Sequence, residues 1–137
     1  MPTTLIDEIE GIHLNKGCTM EEGFTIFEKL AKERKQNSST ESKHIILIQN
    51  WQWLDIDLSD YSAEEISDDF NPNMIYASRI TRYTDSDLRP RYFVRSSPLV
   101  ELHDDCIFET KNSFYIMGGP GTRKTVTPKI ILSIEGY

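Results

Sequence analysis

The spacing of apolar residues predicts one helix near the amino terminus. The apolar side chains of its stripe are Phe24, Phe27, Leu30 and Ala31. They recur at three- and four-residue intervals, the period of a helix that turns one face to a core. Thr19 followed three residues later by Glu22 is a capping box, which predicts where the helix begins. We expect a helix over about 20–35 and a mobile connection at 36–42.

From His44 onward the pattern is that of strands. Residues 44–58 are rich in Ile, Leu and Trp. Trp51 and Trp53 share one alternation phase, whereas the aliphatic residues from Leu54 onward share the other. Because side chains alternate between the two faces of a strand, such a phase change predicts a bulge near Trp53 or a strand buried on both faces.

Further short strands and one short helix follow. Alternating apolar residues predict strands over 74–83, 92–102, 106–110, 113–117 and 126–134. Ser62 with Glu65 forms a second capping box, so we expect a short acidic helix over 63–69. The pattern predicts a single α+β domain, residues 1–137, in which the amino-terminal helix packs on a β-rich remainder at 44–134. That remainder is expected to form a bent antiparallel sheet or small open barrel of five to six short strands.

Composition narrows the functional class. The chain has 137 residues and a formal net charge of −7, which argues against non-specific binding to nucleic acid or to an anionic membrane. It contains two cysteines, Cys18 and Cys106, and no disulfide framework, so we expect reduced thiols in a cytoplasmic protein. The longest aliphatic run is far too short to cross a membrane.

Charge is strongly segregated along the chain. Between Lys43 and Arg79 there is no basic residue, but there are seven carboxylates: Asp55, Asp57, Asp60, Glu64, Glu65, Asp68 and Asp69. Five arginines follow: Arg79, Arg82, Arg89, Arg91 and Arg95. A localised field of this kind selects partners by charge. The sequence leaves open whether the acidic segment and the arginines pair with each other or with a partner.

Two motifs resemble ligand-binding loops but fail at defining positions. In residues 118–125 the glycine that a phosphate-binding P-loop needs before its Lys-Thr pair is Arg123, and a strand pattern follows instead of a helix. A glycine-rich hairpin connection is the better interpretation. The run that begins at Asp55 starts like an EF-hand loop, but its sixth position is Asp60 and its twelfth is Ile66. We therefore expect no cofactor and no metal site from these motifs.

His103 and Cys106 lie close together in sequence, which raises a hydrolase or metal-dependent enzyme as an alternative. Zinc usually needs four ligands that occur in paired spacings such as Cys-x-x-Cys, and this sequence contains no such pair. A catalytic pair of cysteine and histidine meets through the fold, so the sequence alone cannot identify one. Cys106 is more simply a small buried residue at the start of a strand. We predict no catalytic residues.

Four stretches of the chain resemble a known but uncharacterised family. They are residues 71–77, 93–100, 108–115 and 119–124. Within about residues 71–124 they resemble small uncharacterised bacterial proteins that are often carried on prophages and other mobile elements. The resemblance implies an accessory protein, one form of which is an inhibitor of a host system. It implies no activity and no catalytic residue.

The leading hypothesis is a small acidic interaction protein without catalysis. In it, residues 55–69, which carry the seven carboxylates, bind a basic surface of a host protein complex. The alternative is nucleic-acid or nucleotide binding, and the residues assigned to it are Arg79, Arg82, Arg91, Arg95, Tyr83 and Tyr92. The sequence predicts no membrane partner and leaves the oligomeric state open.

Overall fold

The computed structural model describes residues 12–14, 16–36, 43–62, 64, 71–84 and 94–128. In these ranges one helix packs on one sheet of eight strands. The helix is α1, Met20–Gln36. The strands are β1 (Ile12–Leu14), β2 (His44–Ile56), β3 (Asn73–Tyr83), β4 (Val94–Arg95), β5 (Leu99–His103), β6 (Ile107–Thr110), β7 (Ser113–Met117) and β8 (Gly121–Val126).

Helix α1 begins at the predicted capping box. The Glu22 N–H donates to Thr19 Oγ1 at 3.1 Å, and the Thr19 N–H donates to Glu22 Oε1 at 2.9 Å. These bonds satisfy two backbone donors at the helix start, and the bond from the Thr19 backbone lowers the pKa of Glu22. On the apolar face, Phe27 is buried in one cluster with Leu47 of β2. The helix predicted over 20–35 is confirmed.

Strand β2 organises the sheet because it has partners along both edges. One edge pairs antiparallel with β3, from Ile46 opposite Tyr83 to Asp55 opposite Asn73. The other edge pairs in parallel with β7 over the first half of β2 and with β8 over the second half. Strands β7 and β8 therefore lie end to end on one edge of β2. The sheet is mixed, where the sequence predicted an antiparallel one.

The phase change in β2 is centred on Asn50. This residue has a positive φ of 52°, in the left-handed region that asparagine tolerates better than most residues. As a result Ile48 and Trp51 lie in the same core cluster, although side chains three apart face opposite ways in a regular strand. Trp53 and Leu54 are both buried, so the strand is buried on both faces, as predicted. Its irregularities lie before Trp53, at Asn50 and at the preceding register shift.

The sheet bends strongly round its central core. Val94 of β4 and Phe108 of β6 lie on opposite sides of β2 in the strand order, yet both belong to the cluster that contains Trp51. Among the described residues no ladder joins β4 to β5, so the sheet does not close into a barrel. The predicted α+β fold, with an amino-terminal helix on a bent sheet, is confirmed. The described strands outnumber the five to six predicted.

Other predicted elements were found in part or lie outside the described residues. The strands at 106–110 and 113–117 are confirmed as β6 and β7 with small shifts in their bounds. The strand predicted over 92–102 is interrupted before and at Pro98, which leaves β4 and β5 as separate short strands. The predicted connection at 36–42 begins inside α1 at Gln36. Its remainder and the acidic helix predicted at 63–69, apart from Glu64, lie outside the described residues. Of the strand predicted over 126–134, Val126 is the last residue of β8, residues 127–128 are not in a strand, and 129–134 lie outside the described residues.

Candidate functional site

Asp55, the first carboxylate of the acidic segment, is hydrogen-bonded to other residues of the chain. It accepts hydrogen bonds from Nε and Nη2 of Arg123, the second at 2.8 Å. The side-chain amide of Asn73 donates another at 2.7 Å. The hydrogen bond to Asp55 raises the pKa of the Arg123 guanidinium. Asp55 therefore joins β2 to both β3 and β8.

The carboxylates that follow are exposed. We define the acidic end as Asp57, Asp60, Tyr61 and Glu64, all of which are exposed. The Ser59 N–H donates to Asp57 Oδ1 at 2.9 Å, which lowers the pKa of Asp57 and keeps it ionised. Tyr61 is 43% exposed and places an aromatic ring among the charges. The other predicted partner-binding residues, Glu65, Asp68 and Asp69, lie outside the described residues.

The antiparallel register of β2 and β3 separates the acidic end from the arginines of β3. Asp55 lies opposite Asn73 at the end of β2 that leads to the acidic end, whereas Arg79 lies opposite Gln49. At about 3.3 Å per strand residue, the separation between Asp55 and Gln49 is about 20 Å. Arg82 is farther along the same strand. An ion pair needs atoms within about 4 Å, so these two arginines do not neutralise the acidic end.

The described arginines occupy separate environments. The guanidinium carbon of Arg82 lies 4.8 Å from the centroid of the Phe24 ring on α1, and Nη1 lies 3.8 Å from a Glu28 carboxylate oxygen. Arg95 is half-buried and donates to the Ser96 carbonyl at 3.3 Å, and burial lowers the pKa of its guanidinium. The arginine group is therefore not a single exposed row.

The remaining members of the arginine and tyrosine group are also dispersed. Arg79 is exposed, whereas Tyr83 packs against the central core cluster. Arg91 and Tyr92 lie outside the described residues. Within the described ranges, only Arg79 and Arg82 are both exposed and on the same strand.

A groove between α1 and the end of β3 adds positive charge near Arg82. We call it the α1–β3 groove; it has a volume of about 460 Å³, and its lining includes Lys32, Arg34 and Lys35. Glu28, the ion-pair partner of Arg82, also lines it. The helix thus contributes cations to the groove from its last turns, where positive charge is favourable.

His103 lies between two carboxylates rather than beside a thiol. Its Nε2 is 2.8 Å from Glu109 Oε1, and its Nδ1 is 3.2 Å from Glu101 Oε2. Glu109 Oε2 also accepts a hydrogen bond from Lys43 Nζ. Burial opposes ionisation of Glu109, but the bonds from Lys43 and His103 outweigh it and lower the pKa of Glu109. The cluster links β5 and β6 to the start of β2.

Cys106 lies beneath α1, and its thiol shares a hydrogen bond with Cys18. Both cysteines are free, and Cys106 is only 4% exposed. The bond to Cys18 and burial raise the pKa of Cys106, so its thiol keeps its proton at neutral pH. This arrangement differs from a cysteine nucleophile, whose thiolate is formed by a hydrogen-bonded histidine. In the described part of the chain, no three His, Cys, Asp or Glu side chains form a metal-binding group.

The glycine-rich segment at 118–125 serves packing. It leads into strand β8 instead of a helix, and it joins two strands that each pair with β2 rather than with each other. The connection is therefore not the predicted hairpin. The Trp51 indole N–H donates to the Gly119 carbonyl at 3.1 Å. A Cβ at Gly121 would lie 2.3 Å from the Trp51 ring, so only glycine fits there.

Beside this junction lies a groove on the surface of the sheet. We call it the Gln52 groove; it has a volume of about 340 Å³. Its lining residues are Asn50, Trp51, Gln52, Tyr76, Ser78, Pro120, Gly121 and Thr122. Gln52 lies opposite Tyr76 on β3 and Thr122 on β8, at the point where β8 begins its pairing with β2. Among the described residues, the lining contains amides, hydroxyls and rings but no acidic or basic side chain.

Neither the Gln52 groove nor the bond between Asp55 and Arg123 was predicted from the sequence. The phase change in β2 was the one visible signal for the groove, because such irregularities often lie beside functional sites. The Asp55–Arg123 bond had no local signal, since its partners are brought together only by the parallel pairing of β2 with β8.

Comparison with known families places the chain in one of them. A family model described as a domain of unknown function, DUF6957, matches residues 16–133. The chain belongs to the DUF6957 family. The match includes α1 and so extends beyond the stretches on which the sequence resemblance to an uncharacterised family rested. No curated protein and no solved structure matches the chain. Among the described residues of this DUF6957 member, no helix is long and apolar enough to cross a membrane.

Proposed function

We propose that this DUF6957 member is a non-catalytic interaction protein whose acidic end binds a basic surface on another protein. The observation that carries the proposal is the β2–β3 register, which holds Arg79 about 20 Å of strand away from the acidic carboxylates. Carboxylates that Arg79 and Arg82 do not neutralise are available to a partner. Complementary charge speeds association and selects partners.

The composition of the acidic end suits protein recognition. Tyr61 is exposed between Asp60 and Glu64, and a tyrosine surrounded by polar groups is a frequent source of binding energy at interfaces. Asp57 is held ionised by the Ser59 N–H. The sequence resemblance to proteins of prophages and mobile elements favours an accessory role in the cytoplasm, with inhibition of a host complex as its concrete form.

The test compares three proteins as bait in lysates of the cells that encode this chain. They are the wild type, an acidic-end variant and a control variant with the same net charge. The acidic-end variant carries Asp57→Asn, Asp60→Asn and Glu64→Gln. The control carries Glu21→Gln, Glu33→Gln and Asp104→Asn, three exposed carboxylates elsewhere.

We expect proteins that bind the wild type at low salt to be retained by the control and lost from the acidic-end variant. Bound protein should also decrease as the ionic strength rises, because exposed charges are screened. Equal recovery by all three baits, measured by quantitative mass spectrometry, would contradict the proposal.

A second candidate function is nucleic-acid binding at the end of the β2–β3 ribbon opposite the acidic end. The β2–β3 ribbon is the antiparallel pair formed by these two strands. The observation that favours it is the α1–β3 groove, whose cations Lys32 and Lys35 lie near Arg82. Fluorescence polarisation with labelled single-stranded DNA and RNA at two salt concentrations tests it. Binding that weakens with salt and is lost in Lys32→Gln/Lys35→Gln, with Lys111→Gln as the control, would support it. No polarisation change would exclude it.

A further inference from the structure

The Gln52 groove is separate from the acidic end and has a different chemistry. Gln52 lies between Tyr76 and Thr122 on the neighbouring strands. Asn50 and Ser78 add an amide and a hydroxyl to the lining. Because none of the described residues that line the groove is acidic or basic, it suits an uncharged ligand that forms hydrogen bonds. Its volume of about 340 Å³ lies within the range of small-molecule sites.

Gln52 carries the specific signal. Its side-chain Oε1 is buried and has no hydrogen-bond partner among the described residues. A buried acceptor without a partner opposes folding, and most such atoms in proteins are paired. Gln52 also follows directly after the positive-φ residue Asn50 and the buried Trp51. An unpaired buried acceptor and a residue with positive φ thus coincide at one surface groove. Local departures from the usual rules of structure are typical of functional sites.

We propose that the Gln52 groove binds a planar, uncharged heteroaromatic ring with an exocyclic amine, of the kind found in adenine. The amine would donate to Gln52 Oε1, and the amide N–H of Gln52 would donate to a ring nitrogen. A glutamine amide recognises adenine through this pair of bonds. The Tyr76 side chain supplies an aromatic surface for the ring, as tyrosines do for unstacked bases. Since the described lining residues include no cation, we expect an attached phosphate to lie outside the groove.

The probe is adenosine, with purine riboside and inosine as comparators. Purine riboside lacks the exocyclic amine, and inosine has a carbonyl oxygen in its place. We expect adenosine to bind in calorimetry and to shift amide resonances of residues 50–52, 76–78 and 120–122. Purine riboside should bind at least about tenfold more weakly, because it leaves Gln52 Oε1 without a donor. Inosine should also bind at least about tenfold more weakly, because in the same pose its carbonyl oxygen faces Gln52 Oε1 in place of the donating amine. Equal binding of all three nucleosides, or no binding of adenosine at millimolar concentration, would overturn the proposal.

Two matched variants separate binding from folding. Gln52→Leu removes an acceptor that has no partner, so we expect the melting temperature to be kept or raised while adenosine binding is lost. Gln49→Leu on the same strand removes an acceptor bonded by the Thr81 hydroxyl, so it should lower the melting temperature and leave adenosine binding intact. Adenosine affinity unchanged in Gln52→Leu, or a melting temperature lowered as far as in Gln49→Leu, would contradict the proposal.

Two further experiments identify the source of the ring and test whether the Gln52 groove binds it independently of the acidic end. A short single-stranded oligodeoxyadenylate that binds more tightly than adenosine, with an affinity that falls with salt, would assign the base to nucleic acid. An oligomer that binds no better than adenosine would assign it to a free nucleoside. Adenosine binding must persist in the acidic-end variant. Its loss there would contradict a site confined to the Gln52 groove, whatever the outcome of the protein-binding test.

Discussion

At the scale of single residues, some described carboxylates are bonded to other residues of the fold and others are exposed. Asp55 is bonded by Arg123 and Asn73, whereas Asp57 only two residues later is exposed. Glu109 belongs to the first kind, because Lys43 bonds one of its carboxylate oxygens and His103 contacts the other. The same residue type thus stabilises the fold at one position and is available to a partner at another.

The lowered pKa of Glu109 makes a prediction about acid stability. A carboxylate whose pKa is lower in the folded than in the unfolded state stabilises the fold at neutral pH. That contribution is lost as the pH falls from the ordinary glutamate value of about 4.3 through the folded value. We expect Glu109→Gln to reduce the free energy of unfolding at pH 7 and to make it fall less steeply below about pH 4.3.

Urea unfolding at a series of pH values measures this effect. The carboxylate of Glu109 faces Lys43 and His103, and His103 also contacts Glu101. The exposed Glu33 provides the control, since Glu33→Gln should follow the wild-type curve. A Glu109→Gln curve that runs parallel to the wild type across the whole range would show that the contacts of Glu109 contribute nothing to acid stability.

At the scale of elements, the fold depends on the junction between β7 and β8. The two strands occupy one edge of β2 in succession, and the connection between them passes over Trp51. Gly121 is needed there because a Cβ would lie within 2.4 Å of three Trp51 ring atoms. Gly121, in the glycine-rich sequence that resembles a phosphate-binding loop, is therefore explained by the packing of one indole.

This packing predicts the effect of Gly121→Ala. The added methyl group must displace an indole that is only 1% exposed, so we expect a loss of about 1–3 kcal/mol in the free energy of unfolding, as for other overpacked cores. Thr125→Ala, exposed on the same strand, should change it by less than about 0.5 kcal/mol. Denaturant unfolding measures both.

Trp51→Phe tests whether the indole is the cause. If it is, the double variant Gly121→Ala/Trp51→Phe should lose less stability than the sum of the two single changes, because the smaller ring leaves room for the methyl group. Additive losses would place the strain of Gly121→Ala elsewhere than at Trp51.

Local elements were predictable from the sequence, and their pairing was not. The capping box at Thr19 marks the start of α1, and the β6 and β7 patterns are short and regular, so neighbouring residues alone determine them. The two parallel partners of β2 depend on contacts between residues about seventy positions apart, for which the sequence carries no local signal. The Gln52 groove depends on that pairing and so could not be predicted either.

At the scale of the whole molecule, charge is arranged along the β2–β3 ribbon. The acidic end lies beyond Asp55, whereas Arg79 and Arg82 lie farther along β3, and Arg82 contacts α1. The cations Lys32 and Lys35 of α1 line the adjacent α1–β3 groove. A net charge of −7 therefore does not describe a uniformly acidic surface. Such a molecule is oriented by the field of a charged partner before contact, which favours one docking direction over the others.

The position of β8 on the edge of β2 also constrains how the chain can fold during synthesis. Strand β2 emerges from the ribosome before β8, and its residues 52–56 lack their partner until residues 122–126 have been synthesised. Contacts between residues so far apart in sequence slow folding, because a long loop must close first. Until β8 emerges, half of one edge of β2 lacks its strand. The nascent chain can therefore complete its sheet only after residues 122–126 have left the ribosome.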